Sequence, residues 1–262
     1  MSTSVTEIVD IKNLSLIFPL RFQHATSIRD VFVQAAKNPF RVLLKAPQSL
    51  EVIRNLNLTV NKGDRLALIG VNGAGKTTLC RALAGIYTPT KGKLTVHGRT
   101  RAIFDTAIGI YPELTGRENA RILTDFLYPD LANSEERIRE SLEFTELGHF
   151  LDTPFKFYSN GMQARLCLSI LTMEPTDLLI LDEVFEGADQ FFREKISKRV
   201  VDIIERSGAV IFVSHNEAQL EKVCNRGVII ADGMVAYDGS VTEALRIYRE
   251  NHDPRKKVAG VM

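Results

Sequence analysis

The stretch Gly70-Val71-Asn72-Gly73-Ala74-Gly75-Lys76-Thr77 constrains this chain more than any other, because it fits the pattern G-x-x-x-x-G-K-[ST]. It follows a short apolar run, Arg65 to Gly70, and opens a stretch of helical character, Thr77 to Ile86. An apolar strand, a glycine turn and a helix in that order belong to an α/β layer with a buried parallel sheet. The chemistry depends on the spacing. Glycines let the backbone wrap closely, so that successive N–H groups point at phosphate oxygens. The helix that begins near Lys76 adds the positive end of its dipole. The Lys76 ammonium can reach β- and γ-phosphates, and the Thr77 hydroxyl can ligate Mg²⁺. Gly70, Asn72, Gly73, Ala74, Gly75, Lys76, Thr77 and Thr78 are therefore the candidate nucleotide contacts. Taken alone, the motif is shared by kinases, GTPases and many motors.

The rest of the chain repeats the same logic. Leu178 to Leu181 and Val210 to Val213 are two more short apolar runs with helical stretches between them. Strands that alternate with helices predict a parallel sheet wrapped by helices. Val5 to Phe18 and Val52 to Val60 read as strands, and Asn61 to Asp64 as a turn. Val228 to Tyr237 carries Asp232-Gly233 between strand-like runs, which predicts a hairpin. Leu114 to Met173 has helical periodicity and reads as a helical subdomain, about 114–173, inserted into the core. Within Ala25 to Pro47, residues Ile28, Val31, Phe32, Ala35 and Ala36 fall on one helical face beside Arg29, Lys37, Arg41 and Lys45. No internal repeat is present, and 262 residues suit one domain, with a flexible tail expected at about 251–262.

Composition removes other classes. The charge balance of 33 basic and 32 acidic residues, net +1, lacks the clustered basic excess that nucleic acid requires. Three cysteines, Cys80, Cys167 and Cys224, stand far apart without metal spacing and read as buried hydrophobes in a reducing compartment. No signal peptide opens the chain, and no run reaches the ~18 apolar residues of a spanning helix, so any work at a membrane needs a spanning partner.

Two strand ends add chemistry. Leu178-Leu179-Ile180-Leu181-Asp182-Glu183 delivers two acids after a buried run. Asp182 beside the glycine loop would give a second Mg²⁺ contact, and Glu183 is placed to act as a general base or to orient the attacking water. Val213-Ser214-His215 closes another strand, where open α/β sheets place function. His215 could contact the γ-phosphate region or hold Glu183 and water in position. Tyr158-Ser159-Asn160-Gly161-Met162 precedes an apolar-faced helix; locally it is a serine cap with a turn glycine at a helix start, and such starts bind anions.

In this combination the chain resembles the ATP-binding cassette (ABC) family. Tyr158 to Met162 is similar to the family's signature, usually Leu-Ser-Gly-Gly-Gln, and stands before the Asp182-Glu183 strand end as in that family. Phe18 matches the aromatic that stacks on adenine, Ala188-Asp189 the loop that crosses the dimer interface, and His215 the switch histidine. The likeness narrows to exporters of O-antigen, capsular polysaccharide and teichoic acid. It rests there on Pro112 to Asn119, on the signature followed by Ala164-Arg165-Leu166, on Asp182-Glu183-Val184 leading to Asp189 and Phe192, and on the insertion at about 25–47. In those exporters the extra helix lies at the membrane face.

The resemblance implies a P-loop NTPase (RecA-like) core with an antiparallel β subdomain and an inserted α-helical signature subdomain. It implies an ATPase that uses ATP and Mg²⁺ and works as a head-to-tail homodimer. In each site, Ser159, Gly161 and Met162 of one subunit would face the phosphate loop of the other. Two copies of a transmembrane permease would couple the cycle to extrusion of a lipid-linked polysaccharide, with this chain peripheral on the cytoplasmic face of the cell membrane. Two departures stand out. The family glutamine facing the membrane partner is missing, with Asp105 or Thr106 in its approximate place, and the signature has Asn160 and Met162 for glycine and glutamine. A soluble ABC ATPase without a permease, an importer motor and a nucleotide kinase are the alternatives. The first usually carries two cassettes or a long coiled coil, absent here; the importer lacks the Pro112 to Asn119 loop and the insertion; the kinase leaves the signature and His215 unexplained.

Overall fold

The computed structural model describes residues 6–19, 49–104, 109–182 and 190–252. Glu183, Asp189, Asp105, Thr106, the insertion at about 25–47 and most of the 251–262 tail lie outside the described residues.

The strands form two sheets. β1 (Glu7–Pro19), β2 (Ser49–Asn61) and β4 (Lys91–Val96) make an antiparallel sheet with β1 in the middle. Ile11 faces Leu58 on one side and Leu94 on the other, and Leu14 faces Leu56. The register slips between Ile11 and Leu14, where Asn13 takes φ 51°. Asparagine tolerates that left-handed geometry, and Asn13 N–H is satisfied by Asn57 Oδ1 at 2.9 Å.

The second sheet has six strands in the order β5 (Thr100–Ile103), β6 (Leu178–Asp182), β7 (Ala209–Val213), β3 (Arg65–Ile69), β8 (Arg226–Ala231), β9 (Met234–Ser240). Neighbours from β5 to β8 run parallel; β9 turns back antiparallel. The return is tight because Asp232 and Gly233 adopt φ 49° and 77°, the positive values a two-residue hairpin turn needs. Gly233 is needed twice over, since a Cβ there would lie 2.3 Å from Val52 O. The hairpin tip thus docks on β2 and ties the two sheets together, with Arg54 N donating to Gly233 O at 2.9 Å.

Period-two alternation divides the parallel sheet between two cores. Leu178, Ile180, Ile211 and Val213 face α1 (Lys76–Leu83) and the antiparallel sheet. Leu179, Leu181, Val210 and Phe212 face the opposite core, shared with α2 (Gly116–Leu127), α3 (Ser134–Thr145), α4 (Asn160–Leu171), α5 (Gln190–Arg206) and α7 (Val241–His252). A short helix, α6 (Glu217–Val223), precedes β8. Because both faces are covered, β6 and β7 are buried along their whole length, as all-apolar parallel strands must be.

Helices α2, α3 and α4, with two 3-10 turns at Gly148–Asp152 and Phe155–Phe157, form an arm on that second face. Its entry is fixed by polar chemistry. Thr115 and Glu118 make a reciprocal capping box at the start of α2. Asn119, fully buried, accepts from Tyr111 N and donates to the carbonyls of Tyr111, Leu114 and Thr115, which pins the loop before the helix. Two strands escape the sequence reading. β4 and β5 are short, and β4 is polar at its start, so neither shows an alternation long enough to stand out.

Candidate functional site

β7 lies between β3 and β6, so the carboxyl ends of these strands bring the glycine loop, Asp182 and Ser214-His215 to one edge of the sheet. Asp182 pairs in register with Val213, the residue before Ser214. Open parallel sheets bind ligands outside the carboxyl ends of their strands, where the strand order reverses.

The loop owes its shape to its glycines. Gly73 and Gly75 have φ 83° and 104°, and Gly75 caps α1 in the left-handed region. A Cβ on Gly75 would come within 2.8 Å of Ile53 Cδ1 and 3.2 Å of Val52 O, so the loop also rests directly on β2. Lys76 is nearly buried, and its Nζ donates to Gly70 O at 2.8 Å and to Val71 O at 3.1 Å. The ammonium therefore sits inside the turn that the backbone makes. Thr77 stands exposed at the first turn of α1, with Thr78 half-buried beside it.

Asp182 is 5% exposed at the end of β6. Its place is reported by a neighbour. Burial first, then the Asp182 carboxylate, pushes the Cys80 thiol far up, while the Lys76 ammonium pulls it down. Lys76 and Asp182 thus act on the same thiol with opposite sign. A strand-end carboxylate and the Thr77 hydroxyl, both oxygen donors, match the preference of Mg²⁺ for hard ligands.

His215 is exposed just past β7. The turn that carries it is held by Ser214 Oγ, which accepts from Asn216 N at 3.1 Å, and by Asn216, whose side chain accepts from Gln219 N and caps α6. A cavity of about 50 Å³ behind the loop is lined by Gly70, Lys76, Ser214, His215, Glu217 and Tyr248. The lysine and the histidine therefore border one space.

Phe18 is half-buried near the end of β1, opposite Leu50 on β2. The same stretch of β2 carries Val52 and Ile53 against Gly75, which sets the phenylalanine beside the loop. Its ring meets Tyr87 edge-on, with centroids 5.2 Å apart and planes at 71°. Tyr87, in the turn after α1, carries no sequence signal. The docking of Gly233 on β2 is likewise invisible from the Asp232-Gly233 dipeptide, which foretells only the turn.

Ser159 to Met162 are not gathered with these groups. Ser159 caps α4, its side chain accepting from Met162 N at 3.3 Å. Ser159 and Asn160 are exposed, while Gly161 and Met162 are half-buried. The main packing partners of α4 are α2, α3 and α5, on the face of the sheet opposite to α1. Tyr158 anchors this start: its hydroxyl donates to Phe150 O at 2.7 Å.

A family model described as ABC transporter matches residues 53–186, just over half the chain. The chain belongs to the ABC transporter family. As a member it is a nucleotide-binding cassette and an ATPase, and the α/β fold with its antiparallel sheet and helical arm is that of the family. The O-antigen export system ATP-binding protein RfbB of Klebsiella pneumoniae is 35% identical over 243 residues, covering 93% of this chain and 98% of the relative. The O-antigen export system ATP-binding protein RfbE of Yersinia enterocolitica is 34% identical over 86% of this chain and 94% of its own. The teichoic acids export ATP-binding protein TagH of Enterococcus faecalis is 32% identical over 85% of this chain and 50% of its own. Two solved structures share the fold. One is an ATP-binding cassette dimer in a post-hydrolysis state with ADP and phosphate (TM-score 0.68, 19% identity, 89% of this chain and 99% of that one). The other is an ATP-binding subunit of an ABC transporter (TM-score 0.68, 22% identity, 96% and 98%).

Proposed function

We propose that this cassette is the ATP-hydrolysing subunit of an exporter that drives a lipid-linked polysaccharide, of O-antigen, capsule or teichoic acid type, across the cell membrane. The observation that carries the reading is the 35% identity to an O-antigen export subunit over 93% of this chain and 98% of the relative. Among the described residues no helix is long and apolar enough to cross a membrane, so the path for the polymer belongs to a spanning partner, taken here as two copies of a permease. The cassette then sits peripherally on the cytoplasmic side.

ATP is the substrate. The N–H groups of the loop from Gly70 to Gly75, and those of Thr77 and Thr78 at the start of α1, receive its phosphates, Lys76 neutralises the β- and γ-oxygens, and Phe18 stacks on the base. Thr77 and Asp182 are the oxygen donors for Mg²⁺, which supplies charge compensation on the transferred phosphoryl group. Glu183 orients and deprotonates the attacking water, and His215 fixes the γ-phosphate side of that arrangement. Ser159, Gly161 and Met162 serve a second copy of the chain. The exposed serine cap and helix N-terminus close over the γ-phosphate held by the partner's loop, with Asp189 crossing the interface. Closure on ATP and release after hydrolysis give the stroke that the permease uses.

Affinity purification from native membranes in mild detergent tests this reading. A stoichiometric multi-span membrane protein alongside the tagged cassette is the expected result. A cassette that is recovered soluble and hydrolyses ATP at its full rate without a membrane partner would overturn the export reading and leave an ATPase of other purpose.

A further inference from the structure

The parallel sheet has a second open edge. At its amino-terminal end, the starts of β3, β5, β6 and β7 and the end of α2 enclose a cavity of about 620 Å³. That is within the range of sites that hold small organic ligands, roughly 300–1,000 Å³. A five-residue strand such as β3 rises about 16 Å, so this cavity is separated from the glycine loop by the length of the strands.

Its lining is charged in an unbalanced way. Arg101 is 9% exposed, yet among the described residues it makes no ion pair with a carboxylate. Its guanidinium donates to Glu174 O and stacks on the Tyr128 ring, 4.1 Å from the centroid. Arg65 is also without a carboxylate pair among the described residues. It donates to the main-chain carbonyls of Asp64, Glu205, Ser207 and Gly208 at 3.0–3.3 Å. Burial lowers the pKa of both arginines, and Arg99, a like charge, lowers Arg101 further. Of the nearby acids, Asp130 pairs with Arg99 and Glu174 with Arg137, whereas Asp177 accepts from the neutral N–H of Arg99. Lys62 at the rim is exposed, as is Glu205. A buried guanidinium, a half-buried one, both hydrogen-bonded only to neutral carbonyls, and a rim lysine therefore face one cavity, against two carboxylates, Asp177 and Glu205, that have no cationic partner among the described residues. An anion would relieve this imbalance, and planar guanidiniums match phosphate oxygens two at a time.

We propose that this cavity binds a phosphorylated small molecule, distinct from the ATP at the glycine loop. The wall formed by Leu127, Leu131 and Pro175 gives such a ligand an apolar side, and because α2 contributes Leu127 the ligand bridges the helical arm and the sheet.

The test uses inorganic pyrophosphate on the full chain carrying Lys76→Ala, so that binding at the glycine loop is weakened, and reads hydrogen exchange and affinity. Protection is expected at 62–65, 99–101, 174–177 and 205–208, with affinity falling about tenfold in a further Arg65→Gln or Lys62→Glu variant, as for loss of one charge-assisted contact. Lys62→Glu, at an exposed position, keeps the test open if Arg65→Gln fails to fold. Protection confined to the glycine loop, or none, overturns the proposal. So does equal binding of citrate, which would make the cavity a general anion trap.

Discussion

The carboxyl edge of the sheet and the start of α4 are both arrangements of backbone N–H groups suited to anions, and they are built in opposite ways. At the sheet edge the groups converge. The loop rests on β2 through Gly75, Lys76 lies within the turn, and Asp182 and His215 arrive on strands that flank one another. At α4, Ser159 caps a helix that packs on the other face of the sheet, and the serine stands exposed. The lesson is that one arrangement is suited to hold a ligand by itself, whereas the other has a surface to offer but, among the described residues, no counterpart within its own chain.

The predictions probe this contrast. Glu183→Gln should have the largest effect: turnover falls by about 10²- to 10⁴-fold, the usual weight of a general base. ATP still binds and a dimer accumulates in size-exclusion chromatography; ordinary turnover would remove Glu183 from the reaction. Next comes Ser159→Arg, which places bulk and charge at the outward-facing cap. Turnover should drop on the order of 10²-fold, the cost of losing one transition-state donor. ATP affinity of the isolated chain should stay the same by equilibrium dialysis. Unchanged turnover would mean that α4 takes no part in the site.

Lys76→Ala should weaken ATP binding roughly ten- to hundredfold, because a charge-assisted contact contributes about 1.5–3 kcal/mol. Unchanged affinity would break the phosphate-loop role. Asn119→Ala tests the seat of the arm. It removes the acceptor of Tyr111 N and the second donor to the carbonyls of Tyr111, Leu114 and Thr115, and should cost about 2 kcal/mol in urea unfolding. The smallest effect belongs to the cysteines. Cys80, Cys167 and Cys224 are buried thiols, and burial pushes Cys224 up to about 12. At pH 8 its thiolate fraction is on the order of one in 10⁴, so the native protein should resist alkylation and react only on unfolding.

Much of the site was legible because its residues are consecutive. A phosphate loop is a local object: its glycines, lysine and threonine lie within eight positions, and each strand end announces itself by an apolar run that stops in polar residues. Phe18 needed the family likeness, and its neighbour Tyr87 had no signal at all, since an edge contact between a strand and the turn after a helix leaves no period in the chain. The arginines of the opposite edge were equally silent. Arg65 and Arg101 are separated by β3, α1 and β4, and only the parallel pairing of β3, β7, β6 and β5 brings their strand starts into one wall.

By itself the sequence determined the kind of protein this is. Apolar runs alternating with helices demand a covered parallel sheet, the glycine loop between strand and helix demands phosphate, and the motifs in their order single out the ABC family. Strand order and facing were decided only by the tertiary structure. Placing β7 between β3 and β6 is what joins Lys76, Asp182 and His215, and the period-two alternation of buried strands sends α1 and α4 to opposite faces. Those arrangements follow from burying both sides of a sheet at once, a condition that is met by the whole fold and written in no single segment.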